Sequence, residues 1–140
     1  MKSKLSSNII FLSLITGKKD KIRVPSRSGL NWGQRPNRNE NQAYIAVPAD
    51  IQRSNFFPDV GIPFNVNCDD GFKIIMVRAQ QNGKALHSSK NNAILGEYFR
   101  KRLDLQSESL IILKHLESYG RFDVKFEKIG DKEFNLDFSN

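Results

Sequence analysis

The stretch RFDVKFEKIGDKEFNLDF, residues 121–138, constrains the fold more than any other part of the chain. Phe122, Val124 and Phe126, then Phe134, Leu136 and Phe138, recur at every second position, with charged or amide residues opposite them. A period of two belongs to a strand, because successive side chains point to opposite faces. Gly130-Asp131 supplies a turn between the halves. The stretch predicts a hairpin with one buried and one wet face.

Strand signals continue elsewhere. FNVNCDDGFKIIMVRA reads as a second hairpin turning at Asp69-Asp70-Gly71, with alternation on both sides. Short apolar runs predict strands over Ile9–Thr16, over Ala43–Val47 up to Pro48, and over Ser109–Leu113. Two helices interrupt them. A short one starts near Pro48, where proline suits a first turn. A longer one follows Asn91 or Asn92, either of which can cap it. Its residues Ile94, Leu95, Tyr98, Phe99 and Leu103 form one apolar stripe at helical spacing. About seven strands, two short helices and no strand–helix alternation exclude a doubly wound α/β fold. They predict a mainly β, barrel-like architecture.

At 140 residues with 39% hydrophobic and 26% charged side chains, the chain is expected to be a single domain, 1–140, with a core of its own. No internal repeat or low-complexity linker divides it. Cys68 is the only cysteine, so no internal disulfide forms, which suits a reducing cytoplasm. One cysteine and two distant histidines make no zinc site, and no metal or cofactor is expected. The start, MKSKLSSNIIFLSLITGKKDK, loosely resembles a signal peptide. Its apolar run is broken by Ser13, lacks a small-residue cleavage site and is too short to span a membrane. An exported or membrane-bound form is not expected.

Charge is distributed in blocks. The net charge is +7, but from Lys18 to Arg38 seven Lys and Arg oppose one acid, and from Gly71 to Arg102 the same ratio recurs. The segments 39–70 and 103–140 are net acidic. Two basic blocks set between acidic ones suit a clamp that grips a polyanion from two sides. Two solvated faces are the plainer alternative.

The basic blocks coincide with the two stretches outside the scaffold, Gly17–Gln42 and Gln80–Lys90. Both are long for connections in a compact domain. They are rich in Arg, Asn and Gln around the lone Trp32, a composition unlike that of disordered tails. Arg pairs bidentately with guanine in the major groove, and Asn or Gln with adenine. Lys, Ser and backbone N–H groups bind phosphate. The two stretches therefore read as arms that touch base edges in duplex DNA.

The blocks SGLNWGQR, NQAYIAVP, DDG, GKAL, LGEYFRKRL, YGR-DV-F and LDFS occur in that order. Together they resemble the C-terminal DNA-recognition domain of the NgoFVII family of restriction endonucleases, over roughly residue 10 to the end. That domain is one of the B3-like pseudobarrels, shared by plant transcription factors and by domains of BfiI and EcoRII. The resemblance implies an open seven-stranded β-barrel with two arms entering the major groove, here at about 23–42 and 78–92. It also implies sequence-specific binding of double-stranded DNA in a bacterial cytoplasm, alongside a nuclease domain or subunit.

Within the arms the base-reading candidates are Asn31, Gln34, Arg35, Arg38, Asn41, Gln80, Gln81, Asn82, Lys84 and His87. The phosphate candidates are Arg23, Arg27, Ser28, Trp32, Arg78, Ser88, Ser89, Lys90 and Asn91. Trp32 is read first as an anchor at the base of its arm. Ser88, Ser89 and Lys90 precede a helix N-terminus, a natural phosphate seat. Arg100, Lys101 and Arg102 read as a solvated charge run, with Arg102 snorkelling beside the apolar stripe.

The nuclease of full-length relatives resembles phospholipase D and uses an H-x-K motif. The nearest match here, His87-Ser88-Ser89-Lys90, has one residue too many and no second copy. No catalysis is expected of this chain, read as either an excised domain or a small stand-alone relative. Two rival functions remain. A metal-dependent nuclease would use Pro58-Asp59 with Asp123-Val124-Lys125, pieces far apart in sequence. An RNA-binding barrel would display exposed aromatics for stacking, of which the arms offer only Trp32.

Overall fold

The computed structural model describes residues 8–140, so Lys2 and Lys4 of the signal-like start lie outside the described residues. Among these residues seven strands form one mixed sheet: β1 Ile9–Ser13, β2 Ile45–Ala46, β3 Phe64–Cys68, β4 Lys73–Ala79, β5 Ala85–Ser88, β6 Asp123–Gly130 and β7 Glu133–Asp137. The order is β1-β6-β7-β3-β4-β5-β2. Neighbours are antiparallel except β3 and β7, which run parallel. The sheet curls until its end strands, β1 and β2, face each other across one unsealed seam, which makes it an open barrel. A cleft of about 260 Å³ lies at that seam, lined by Leu14, Ile15, Pro25, Ser28, Tyr44 and Ala46 among others.

The alternating stretch forms the expected hairpin. Lys125 pairs with Asp137 and Phe126 with Leu136, and the register shifts between Lys128 and Gly130. Val124, Phe126, Phe134, Leu136 and Phe138 are buried, whereas Phe122, expected on the same face, lies before the strand and is exposed. The second hairpin is β3–β4, turning at Asp69-Asp70-Gly71. After helix α1, Ala49–Arg53, the chain drops Phe56 and Phe57 into the barrel. The Phe57 ring stands 5.3–5.5 Å from those of Phe64, Phe126 and Phe134, so an aromatic cluster fills the interior.

Two expectations change. Ser109–Leu113 forms no strand, and Ala85–Ser88, read as part of an arm, is β5 of the barrel. Both are short apolar runs whose period cannot decide the matter. Partners decide it. Ala85 and Leu86 pair with β4 on one side and with β2 on the other. Ile111 lies in no strand, and its peptide bonds to a side chain: Asn31 Nδ2 donates to Ile111 O at 2.7 Å, and Ile111 N donates to Asn31 Oδ1 at 2.9 Å. One amide supplies the donor and acceptor that a neighbouring strand would have offered.

A further change is a third α-helix. Besides α1 and α2, Ala93–Arg102, the structure has α3, Leu113–Tyr119. His115 Nδ1 accepts the Ile112 N–H at 3.0 Å at its start, and Gly120 ends it at φ 97°. In α2 the expected stripe is inside, with Leu95, Tyr98, Phe99 and Leu103 buried. Arg102 does not snorkel. It grips Asp69 with both terminal nitrogens, at 2.9 and 2.8 Å, and also reaches the Tyr119 hydroxyl and Phe138 O. One guanidinium thus joins α2, the β3–β4 turn, α3 and the C-terminal segment.

Candidate nucleic-acid interface

Of the sequence-derived candidates, Asn31, Asn41, Arg78 and Ser88 are buried. Their hydrogen-bonding groups face inward, so their assignment to bases or phosphates gives way to a role in shaping the arms. Asn31 holds Ile111 and also donates to Pro25 O at 2.8 Å. Asn41 Nδ2 donates to Ser107 Oγ at 2.8 Å, and its Oδ1 accepts the Glu108 N–H at 2.7 Å. Ser88 Oγ accepts the Leu95 N–H at 3.1 Å and donates to Asn91 O at 2.7 Å. The expected phosphate seat at the start of α2 is thereby filled by the protein's own hydroxyl. Asn91 Oδ1 takes the Ala93 N–H at 3.1 Å.

Arg78 lies under the second arm. Its Nε donates to Pro58 O at 3.0 Å, and a Cβ on Gly83 would stand 2.5 Å from its Nη1. Burial pulls its pKa down, against the pull of Asp59. Above it, the backbone has positive φ at Gln80 (66°), Asn82 (59°) and Gly83 (69°). Asn and Gly tolerate this region, but Gln80 at ψ 178° occupies one that is essentially reserved for glycine.

Arg100 departs furthest from its sequence reading. It is 1% exposed, and no carboxylate among the described residues pairs with it. It donates to the carbonyls of Ser109 (2.8 Å), Gly96 (3.1 Å), Glu40 (3.4 Å) and Leu30 (3.5 Å). Burial pulls its pKa down from the ordinary arginine value. One cation therefore collects carbonyls from α2, from both ends of the first arm's distal loop and from the segment after α2. The available sequence signal was Gly96 and Arg100 at helical spacing beside the apolar stripe.

The exposed candidates are Arg23, Arg27, Arg35 and Arg38 in the first segment, and Gln80, Gln81, Asn82, Lys84, Lys90 and Asn91 in the second. Ser28, Trp32, Gln34, His87 and Ser89 are half-buried. Some are already engaged. Gln34 Nε2 donates to Glu40 O at 3.1 Å and Glu108 O at 3.2 Å, which bends the arm back on itself. Arg35 Nε donates to Arg27 O at 2.8 Å, and Arg23 Nη1 to Lys21 O at 3.1 Å.

The strand that follows the first segment lies beside the second. Val47 N donates to Lys84 O at 2.9 Å, and Ala43 N to Asn92 O at 3.2 Å. Trp32 sits where they meet. Tyr44 packs edge-on at 5.4 Å, and His87 of the second segment lies 6.2 Å away. The Arg38 guanidinium covers the Trp32 ring, 4.3 Å from its centroid. Trp32 thus packs among Tyr44, His87 and Arg38.

For the rival nuclease, Asp123 is ion-paired with Arg121 at 2.9 Å. Among the described residues no group of three or more His, Cys, Asp and Glu gathers as metal ligands. No described helix is long and apolar enough to cross a membrane.

An open, mainly β barrel with two adjoining cationic segments joined through an aromatic anchor is built as a DNA-binding domain. The chain belongs to the family of NgoFVII C-terminal B3-like DNA-binding domains, whose model matches residues 5–130. A comparison with curated proteins returned no match.

Proposed function

We propose that this chain is the target-recognition domain of a restriction endonuclease. It binds a specific sequence in double-stranded DNA through two major-groove arms, 23–42 and 78–92, in the bacterial cytoplasm. Cleavage belongs to a nuclease domain or subunit acting with it. The observation that carries the reading is the division of polar residues in the arms and in the helix beneath them. Asn31, Asn41, Arg78 and Arg100 form a buried frame, while Arg35, Arg38, Gln80, Gln81, Asn82 and Lys84 stand exposed above it. Side chains on a rigid base hold the geometry that bidentate base contacts require. Arg23, Arg27, Lys90 and Asn91, with Ser28 and Ser89 beside them, serve the phosphates.

Selection of bound duplexes from a random library tests the reading. The expected result is one enriched site, retained equally in Mg²⁺ and in EDTA, with plasmid left uncut in Mg²⁺ or Mn²⁺. Arg35→Ala or Gln81→Ala should relax one position of that site and leave non-specific affinity nearly unchanged. Reproducible cutting by the pure protein, abolished by Asp123→Ala, would instead establish the nuclease reading. Preference for single-stranded RNA over duplex DNA would establish the RNA reading.

A further inference from the structure

Four arginines of the first arm are exposed, and one differs from the rest. Arg38 alone lays its guanidinium on an aromatic ring, 4.3 Å from the Trp32 centroid. Its Nη1 donates to Gln42 Oε1 at 2.8 Å. No acceptor among the described residues engages its Nε or Nη2.

Both supports of Arg38 are themselves fixed. The Trp32 ring is held edge-on by Tyr44 at 5.4 Å and flanked by His87 of β5 at 6.2 Å. Gln42 is pinned by its backbone, with its N–H on Asn39 O at 3.0 Å and its carbonyl taking the Gly33 N–H at 2.9 Å. Gly33 has no space for a side chain, since a Cβ there would fall 2.0 Å from Asn39 O. Asn37, at φ 65°, turns the chain so that Arg38 folds back over the ring. Ring and amide thus belong to one tight loop, and the plane of the guanidinium is set before any ligand arrives.

The chemistry of that arrangement is selective. With Cζ over the Trp32 ring and Nη1 on Gln42, the Arg38 guanidinium keeps its Nε and Nη2 N–H groups for a ligand. Two parallel donors in one plane match guanine, which offers N7 and O6 as acceptors in the major groove. Adenine offers an acceptor and a donor there, so the second N–H of the fork would meet an amino group. Holding a long side chain in advance also removes part of the ordering cost of binding.

We infer that Arg38 is a guanine-reading residue at the junction of the two arms, with Trp32 and Gln42 as positioning residues that set its plane. The inference rests on the duplex-DNA reading above. It assigns one residue to one base type, which that reading leaves open.

The test selects bound duplexes from a random library with the wild-type protein and with Arg38→Ala, Arg38→Lys and Gln42→Leu. The expected wild-type site contains a guanine that Arg38→Ala no longer distinguishes, a loss of about 10-fold to 100-fold in discrimination at that position. Arg38→Lys should keep the salt dependence of binding and lose most of the guanine preference, because a point charge has no planar fork. Gln42→Leu should relax the same position partially. Trp32→Leu should do so too, provided that its melting curve matches wild type. In a second arm, 7-deazaguanine replaces the selected guanine. It should weaken the wild-type protein and leave Arg38→Ala indifferent.

An unchanged site for Arg38→Ala overturns the inference alone. So does a change at a position other than guanine, or a uniform weakening that only lowers the salt slope. A wild-type protein that binds no duplex overturns the domain reading and this inference with it.

Discussion

Gly96 of α2 lies so close to the carbonyl of Asn41 that a Cβ on Gly96 would stand 1.6 Å from that oxygen. The contact is backbone against backbone, so no side chain can move aside to relieve it. Through it the helix that follows the second arm is pressed against the base of the first. Arg100, one turn further along α2, donates to the Gly96 carbonyl and to Glu40, beside Asn41. The spacing between the arms is thus set by a helix face without side-chain bulk and a cation that gathers carbonyls behind it.

Gly96→Ala is expected to push α2 off the first arm. Overpacking costs about 1–3 kcal/mol in ordinary cores and more where backbone must shift. A thermal melt should show a fall in Tm of several degrees. An unchanged Tm would mean that the two elements separate freely.

Arg100→Met keeps much of the buried volume but takes a donor from four carbonyls, those of Ser109, Gly96, Leu30 and Glu40, the last of which keeps the Gln34 amide. Each buried polar group left unpaired costs about 1–3 kcal/mol, although the removed burial of a charge offsets part of that. A net loss of about 2 kcal/mol in urea unfolding is expected. A variant as stable as wild type would show that the cation adds nothing beyond its own desolvation.

Gln80→Gly should stabilise the protein by about 1 kcal/mol, since it relieves a conformation at φ 66° and ψ 178° that disfavours every other residue. The strain falls on an exposed arm residue. The same variant should therefore lose selectivity at one position of the bound site even as its Tm rises. A fall in Tm would show that the Gln80 side chain contributes contacts outweighing the strain.

Stability should decline in acid. Burial works to raise the pKa of Asp69, but hydrogen bonds from Arg102 and from the Phe138 N–H prevail and hold it below its ordinary value of 3.8. A carboxyl lowered in the folded state stabilises the fold fully above that ordinary value. The contribution is lost as pH falls through it towards the folded pKa. Unfolding free energy should be level from neutral pH to about pH 5 and drop below about pH 4. Asp69→Asn should lower stability at neutral pH and flatten the acid decline. A residual slope should remain from Asp137, which is lowered by the Ser139 hydroxyl and by Arg121. An acid decline identical in Asp69→Asn and wild type would place the titration elsewhere.

Lys90 is exposed just before α2. If it meets a phosphate, Lys90→Ala should reduce the slope of log affinity against log salt by about 0.9 and leave the preferred site intact. An unchanged slope removes Lys90 from the backbone contacts.

Much of this architecture was legible in the chain itself. The period of two over residues 121–138 and the Asp69-Asp70-Gly71 turn specify two hairpins, because alternation and turn chemistry are local properties. The stripe of α2 is local in the same sense. Charge order marked two cationic segments, but it did not show that the second contains a barrel strand, Ala85–Ser88. Ala85–Ser88 and Ser109–Leu113 were not distinguishable in that way. Each is a short apolar run, and the first became β5 only because β4 and β2 flank it, while Asn31 took the peptide of Ile111.

Within the arms the sequence by itself determined the chemistry: guanidiniums, amides and one tryptophan in two basic blocks. Tertiary structure alone decided which of them face solvent. Asn31 and Asn82 carry the same amide, yet the first is buried and the second exposed. Arg100 is sealed under four carbonyls while its neighbour Lys101 is exposed. A side chain's donors and acceptors are written in its residue type, but whether they are already spent depends on groups tens of residues away. That is a property of packing, which no local pattern encodes.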